Sequence, residues 1–281
     1  MIAFVLSGGA SLGAVEVGML QALAAEGIVP DVLCGTSVGA VNAAYLAGHP
    51  GPSSIEGLAS LWRSIRRNQI FPLNPLLGFA GFIGRKDHLV DAGPIRRLVD
   101  SHLTFDRLED APIPLHVVAT DVITGRDRVF SSGPAAPAVL ASAAIPGVFP
   151  PVVIDGRPYM DGGVTDNTPI SHAVTLEPDT LFVLPTGHPC SLHKAPRGAL
   201  GMALQAVTVM IGRQLVVDIE RFRPVVNLKV VPPLCPLDVS PVDFSHTAEL
   251  IDRARESTRE WLAAGQPDEG AMHILAGDHS H

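Results

Sequence analysis

The sequence predicts an α/β fold with a parallel sheet and helices on both faces, and three observations carry that prediction. A short apolar run, Ile2-Ala3-Phe4-Val5-Leu6, ends in glycines and passes into a helix-like stretch from Gly13 to Glu26. The same order recurs at once, with Pro30 to Cys34 apolar, Gly35 to Gly39 a tight turn and Val38 to Ala47 helical. Two successive βα units imply parallel strands joined by crossover helices. Finally, hydrophobic residues make up 47% of the 281-residue chain and charged residues 17%, which is enough apolar material to bury both faces of a sheet.

Each element has a local reason. Gly48 and Pro50 close the second helix, because glycine caps a helix end and proline cannot continue one. Short apolar runs bounded by turn residues predict further strands at Leu115–Asp121, Val152–Ile154, Thr180–Leu184 and Val225–Val231. Longer apolar periodicity predicts helices near Ile95–Leu103, Ala135–Ala143, Leu200–Ile219 and Thr247–Ala263. The 27 glycines and 25 prolines are scattered rather than gathered into a linker, and no 20–50-residue repeat is visible. One domain over residues 1–265 is expected, followed by a polar tail, 266–281.

Composition narrows the function classes. A net charge of −8 and 5% aromatics leave no basic surface and few stacking platforms, so no nucleic-acid partner is expected. Cys34, Cys190 and Cys235 are odd in number and form no CxxC, which predicts neither a disulfide framework nor a metal site and favours a reducing cytoplasm. No basic residue precedes Arg63, so the apolar N-terminus reads as a core strand rather than a signal peptide. The apolar stretch from Gly198 to Gly212 contains Gln205 and stops at Arg213, short of the ~20 residues a membrane span needs. One segment breaks the pattern: between Asn68 and Gly84, the apolar residues Ile70 to Ile83 are interrupted by prolines too often for a helix. That stretch reads as an acyl-chain lid or a peripheral membrane anchor, with a core-packed or dimerising loop as the alternative.

Gly35-Thr36-Ser37-Val38-Gly39 matches G-x-S-x-G, in which a sharp strand-to-helix turn lifts a serine clear of the sheet. It sits where strand pattern gives way to helix pattern, as that motif requires; the competing reading is a glycine turn with Ser37 as a helix cap. Acyl transfer also needs donors aimed at a developing oxyanion. The loop Ser7-Gly8-Gly9-Ala10-Ser11-Leu12-Gly13 offers the main-chain N–H groups of Gly8, Gly9 and Ala10 at the same sheet edge. Its G-G-x-x-x-G spacing does not match the dinucleotide fingerprint, and Asp31 precedes the second strand instead of ending it. For a base, none of the 11 histidines has a persuasive setting. Asp161, in Tyr159-Met160-Asp161-Gly162-Gly163-Val164, follows an apparent hairpin, and taken alone it reads first as an ordinary Asp-Gly turn.

Four ordered blocks over about 160 residues change that weighting. Leu6-Ser7-Gly8-Gly9 to Gly13-Ala14, Gly35-Thr36-Ser37-Val38-Gly39-Ala40, Ala141-Ser142-Ala143-Ala144-Ile145-Pro146-Gly147-Val148-Phe149-Pro150-Pro151 and Asp161-Gly162-Gly163 resemble the patatin-like phospholipase family. The resemblance implies a three-layer α/β/α sandwich with a mostly parallel central sheet, and a Ser–Asp dyad without histidine that maps onto Ser37 and Asp161. It also implies acyl hydrolysis of lipid esters with no metal or cofactor. Two positions depart from the family pattern: Ala10 stands at a third glycine and Leu12 at a basic residue. Main-chain donors survive this change, but a cation that could meet a phosphate is lost, so a neutral ester is also an expected substrate. Two other readings stand beside the hydrolase: a non-catalytic lipid- or partner-binding module on the same scaffold, and a Ser/His acyltransferase.

Overall fold

The structure, a computed structural model, describes residues 1–72, 85–187, 198–237 and 239–266. At its centre is an eight-stranded sheet made of β1 (Ile2–Leu6), β2 (Val32–Thr36), β3 (Leu115–Asp121), β4 (Asp127–Phe130), β5 (Val152–Ile154), β6 (Arg157–Asp161), β7 (Thr180–Leu184) and β8 (Asn227–Val230). The linked order is β5-β6-β3-β2-β1-β7-β8, with β4 pairing β3 as well. The five strands from β8 to β3 are parallel, whereas β4, β6 and β5 add antiparallel pairs at the β3 end.

The alternation of side chains along a strand divides the core into two layers. Phe4 and Leu6 face the layer that holds α1 (Gly13–Ala25), α2 (Val38–Gly48) and α3 (Pro52–Ser64), while Ala3 and Val5 face Ile170, Ala173, Leu215 and Ile219. Both faces of the sheet are therefore covered, giving the α/β/α sandwich expected. The helices continue as α4 (Arg67–Ile70), α5 (Gly93–His102), α6 (Ala135–Ser142), α7 (Ile170–Val174), α8 (Gly198–Phe222) and α9 (Thr247–Ala263). Helix α1 is buried on every side from Gly13 to Leu23. It packs along α9 closely enough that Gly18 meets the main chain at Ile251.

The registers on β3 matter most for the site. Strand β2 pairs with β3 as far as Thr36 opposite Val118, and β6 pairs with the next residues, Asp161 lying opposite Ala119. Strand β4 pairs with Val117 through Thr120 and so overlaps both, which puts it on the other edge. Strands β2 and β6 therefore share one edge of β3 and run head to head along it.

Several expectations are met to the residue, including β1, β3, β5, β7 and α9. Helix α3 and strand β4 were not anticipated. The signal for α3 was present: a proline in the first helical turn, then Ile55, Leu58, Ala59 and Trp62 at i, i+3, i+4 and i+7, all buried. The cysteine expectation is corrected, because Cys235 is disulfide-bonded to a partner outside the described residues, while Cys34 is free and buried in β2. An odd count is compatible with one bridge beside one free thiol. No helix among the described residues is long and apolar enough to cross a membrane. Of the Ile70–Ile83 stretch, Ile70 and Phe71 are buried, and residues 73–84 lie outside the described residues, as does the tail from 267.

A polar network holds α1, α2 and α3 together. Asn42 Nδ2 donates to Glu16 Oε2 at 2.8 Å and to the Gly13 carbonyl at 3.1 Å, while Asn42 Oδ1 accepts from Trp62 Nε1 at 2.8 Å. Burial pushes the Glu16 carboxyl well above the usual carboxylate range, partly offset by the bond from Asn42. Asn42→Leu strands Trp62 N–H and Glu16 in an apolar layer. It is expected to lower unfolding stability by about 3 kcal/mol, read from the urea midpoint; a loss under about 0.5 kcal/mol would mean the network holds nothing.

Candidate active site

Strand β2 ends at Thr36 and α2 begins at Val38, which leaves Ser37 alone at the corner with φ 55° and ψ −123°. An L-residue reaches that backbone only at a cost of about 1–3 kcal/mol, and the surroundings must hold it there. A Cβ on Gly35 would sit 2.6 Å from the Gly39 carbonyl, and one on Gly39 would run into the carbonyl of Leu6, so both flanking positions must be glycine. Ser142 Oγ completes the corner by accepting Ser37 N–H at 2.8 Å and donating to Val118 O at 2.5 Å. Ser142 lies in one of the blocks read from sequence, but its role was not foreseen.

Because β6 meets β2 along β3, its last residue arrives beside the corner. Ser37 Oγ donates to Asp161 Oδ2 at 2.6 Å, and the other carboxylate oxygen, Oδ1, accepts from Gly163 N–H at 2.8 Å. Thr120 Oγ1 donates to the Asp161 carbonyl at 2.9 Å, fixing the main chain of the strand end. Ser37 makes no capping bond to its own helix. Among the described residues no histidine hydrogen-bonds Ser37. Burial raises the Asp161 carboxyl from the ordinary 3.8 to about 6, with the bonds from Ser37 and Gly163 pulling the other way.

The glycine loop lies across the corner, and a Cβ on Gly8 would come within 3.1 Å of Ser37 Cβ. Its three predicted donors are not equivalent. Gly8 N–H donates to Asn167 O at 3.0 Å, and Asn167 Nδ2 returns a bond to Gly8 O at 3.3 Å. Gly8 N–H is thus engaged by a main-chain carbonyl in this structure. No acceptor among the described residues takes the N–H of Gly9 or Ala10. Thr186 Oγ1 also donates to Gly8 O at 2.6 Å, and Ser11 is tied to residues 240 and 241 through its N–H and hydroxyl. Asn167 and Thr186 are far from the loop in sequence, and nothing local announced them. Ala10 has φ 52°, the left-handed region that glycine fills without strain.

Ser37 and Ala10 open onto an apolar pocket enclosing about 830 Å³ of empty space, part of it continuous with solvent. Val38, Val41, Leu58, Trp62, Phe71 and Phe149 are among its walls. Phe71 stacks on Phe149 at 5.5 Å, so the start of the proline-broken stretch belongs to the pocket wall. A buried serine bonded to a buried carboxylate, beside unengaged main-chain donors and an apolar cavity, can perform acyl transfer on an ester with an apolar acyl group.

Residues 4–174 match the family model described as patatin-like phospholipase. A Mycobacterium tuberculosis (strain H37Rv) protein of the NTE family is 32% identical over 179 residues, covering 63% of this chain and 47% of its own. Lysophospholipase NTE1 of Pyricularia oryzae is 28% identical over 222 residues, covering 75% of this chain and 14% of its own. The chain thus spans less than half the length of these curated relatives. Among solved structures, VipD from Legionella pneumophila aligns with a TM-score of 0.48 at 16% identity, over 93% of this chain and 66% of that one.

The strain at Ser37 is measurable apart from any activity. Ser37→Gly is expected to unfold at higher urea than Ser37→Ala, by about 1 kcal/mol, because only glycine takes this φ freely. Equal midpoints would show that the corner stores no strain.

Proposed function

Since the chain belongs to the patatin-like phospholipase family, we propose that it is a serine acyl hydrolase acting on lipid carboxylic esters, of phospholipase A or lysophospholipase type. The observation that carries this reading is the 2.6 Å bond from Ser37 Oγ to Asp161 Oδ2 at the mouth of an apolar pocket. Ionised Asp161 takes the hydroxyl proton as Ser37 Oγ attacks the ester carbonyl carbon. The resulting oxyanion is met by the N–H groups of Gly9 and Ala10. Collapse breaks the ester bond, and the proton on Asp161 passes to the departing alcohol. Water then gives a proton to Asp161 and attacks the acyl-serine; the acyl–Oγ bond breaks, the proton passes from Asp161 to Ser37 Oγ, and the fatty acid leaves. A carboxylate with its pKa raised to about 6 is a stronger base than an exposed one and is still ionised at neutral pH. Relatives named as lysophospholipases support a lipid substrate. The 70–83 stretch, whose Ile70 and Phe71 line the pocket, is the segment we assign to contact with a lipid surface.

A fluorophosphonate probe is expected to label the wild type stoichiometrically and Ser37→Ala not at all; an unlabelled, folded wild type would favour the non-catalytic binding module instead. The rate should rise about tenfold per pH unit below about 6 and level off above, following ionisation of Asp161. Asp161→Asn should reduce turnover by about a thousandfold or more. The same variant should be more stable at neutral pH. The folded protein holds the Asp161 proton up to about pH 6 while the unfolded chain releases it near 3.8, so stability falls as pH rises through that window. Asparagine removes that loss, which amounts to about 3 kcal/mol at pH 7, and thermal melting of the two proteins at pH 4 and pH 7 checks it.

A further inference from the structure

The pocket behind Ser37 has a direction and an end. Val38, Val41, Asn42 and Tyr45 of α2 line it, and so do Ile95, Leu98, Val99 and His102 of α5. Each set has the spacing i, i+3, i+4 and i+7, which is one face of a helix, so the cavity runs lengthwise between the two. Contacts with α3 give the same axis: Trp62 meets Asn42 and Gly57 lies against the Tyr45 hydroxyl, one helix running opposite to the other. Ser37 stands at the N-terminal end of α2, and Tyr45 is eight residues farther on, about 12 Å along the axis at ~1.5 Å per residue.

At that distance the lining changes character. The ring centroids of Tyr45 and His102 approach to 6.2 Å, where the faces of both helices, aliphatic up to that point apart from Asn42, turn to a phenol and an imidazole; Trp62, Phe71, Phe149 and Phe244 belong to the other walls. Tyr45 is stacked on His49 at 4.4 Å, and His102 Nδ1 is bonded to Leu98 O at 2.8 Å, so both rings are held in place. Beyond them Thr104 Oγ1 donates to Gly48 O at 2.9 Å, joining the end of α2 to the chain that leaves α5.

We propose that the Tyr45–His102 ring pair is the stop of an acyl pocket and sets the chain length the protein accepts. An extended hydrocarbon advances about 1.25 Å per bond, so about 12 Å admits an acyl chain of about ten carbons. A longer chain must press its methylenes against a phenol and an imidazole, displacing their polar atoms from water. The stop rests on the hydrolase reading for its substrate, and its test separates the two.

Hydrolysis of p-nitrophenyl butyrate, octanoate, decanoate and palmitate gives the length profile. In the wild type kcat/KM is expected to fall about tenfold or more from decanoate to palmitate. Tyr45→Ala should raise the palmitate-to-butyrate ratio about tenfold, and Val41→Phe, one turn from Ser37, should bring the limit below octanoate. Each ratio is taken within one protein, so a general loss of activity does not affect it. In parallel, decanoate and palmitate are titrated against 8-anilinonaphthalene-1-sulfonate bound to Ser37→Ala, with and without Tyr45→Ala. Decanoate displacing the dye at lower concentration than palmitate, and palmitate catching up when Tyr45 is removed, supports the stop. Equal displacement by both acids in Ser37→Ala, or a length profile unchanged in folded Tyr45→Ala, overturns it. Failure to hydrolyse any ester would count against the hydrolase reading alone, and the displacement series would still decide the stop.

Discussion

The site depends on one packing constraint: two strands end against the same edge of a third. Ser37 and Asp161 are 124 residues apart in sequence and meet because β2 stops opposite Val118 and β6 stops opposite Ala119. Neither strand can extend without colliding with the other. The joint is filled from both sides, with Ser142 linking Ser37 N–H to Val118 O and Gly162 packed against Val118 O with no room for a side chain. A shift of one residue in the β6 register would turn Asp161 to the other face of the sheet, and one in the β2 register would carry the Ser37 corner away from it. The parallel sheet, buried on both faces, resists such a shift because every core residue would move with it.

Around this joint, polar groups are held in states that the bulk of the protein opposes. Ser37 has a backbone that few L-residues adopt, Asp161 is a carboxylate taken out of water, and the N–H groups of Gly9 and Ala10 have no described acceptor. Each of these is destabilising by itself. They persist because Asn167, Thr186 and the tie from Ser11 to residues 240 and 241 hold the loop from outside the site. In the acyl transfer proposed above, a site prepared in this way needs little rearrangement when charge develops on a substrate oxygen.

The fold was legible where the signal is local. Apolar runs and the glycine turns between them place β1, α1, β2 and α2, since a parallel sheet writes its strands as continuous hydrophobic segments. Helix α3 was missed although Ile55, Leu58, Ala59 and Trp62 carry its period, because Pro50 to Ser54 reads as a turn and hides the helix start. The cysteine arithmetic failed because a count does not say which thiols meet. Ser37 is visible as a motif with its own turn geometry. Asp161 is not, because its identity lies in a long-range register and only the ordered blocks single it out. The engagement of the Gly8 N–H is hidden from the sequence for the same kind of reason: the carbonyl that takes it is 159 residues away.

The head-to-head joint also orders events during synthesis. Ser37 leaves the ribosome directly after β2, while the Asp161 carboxylate follows only with β6, which pairs with the end of β3 that β2 leaves free. Until then the chain carries Ser37 with no carboxylate beside it. The Ser37–Asp161 bond therefore forms in one step, when the second strand closes the gap.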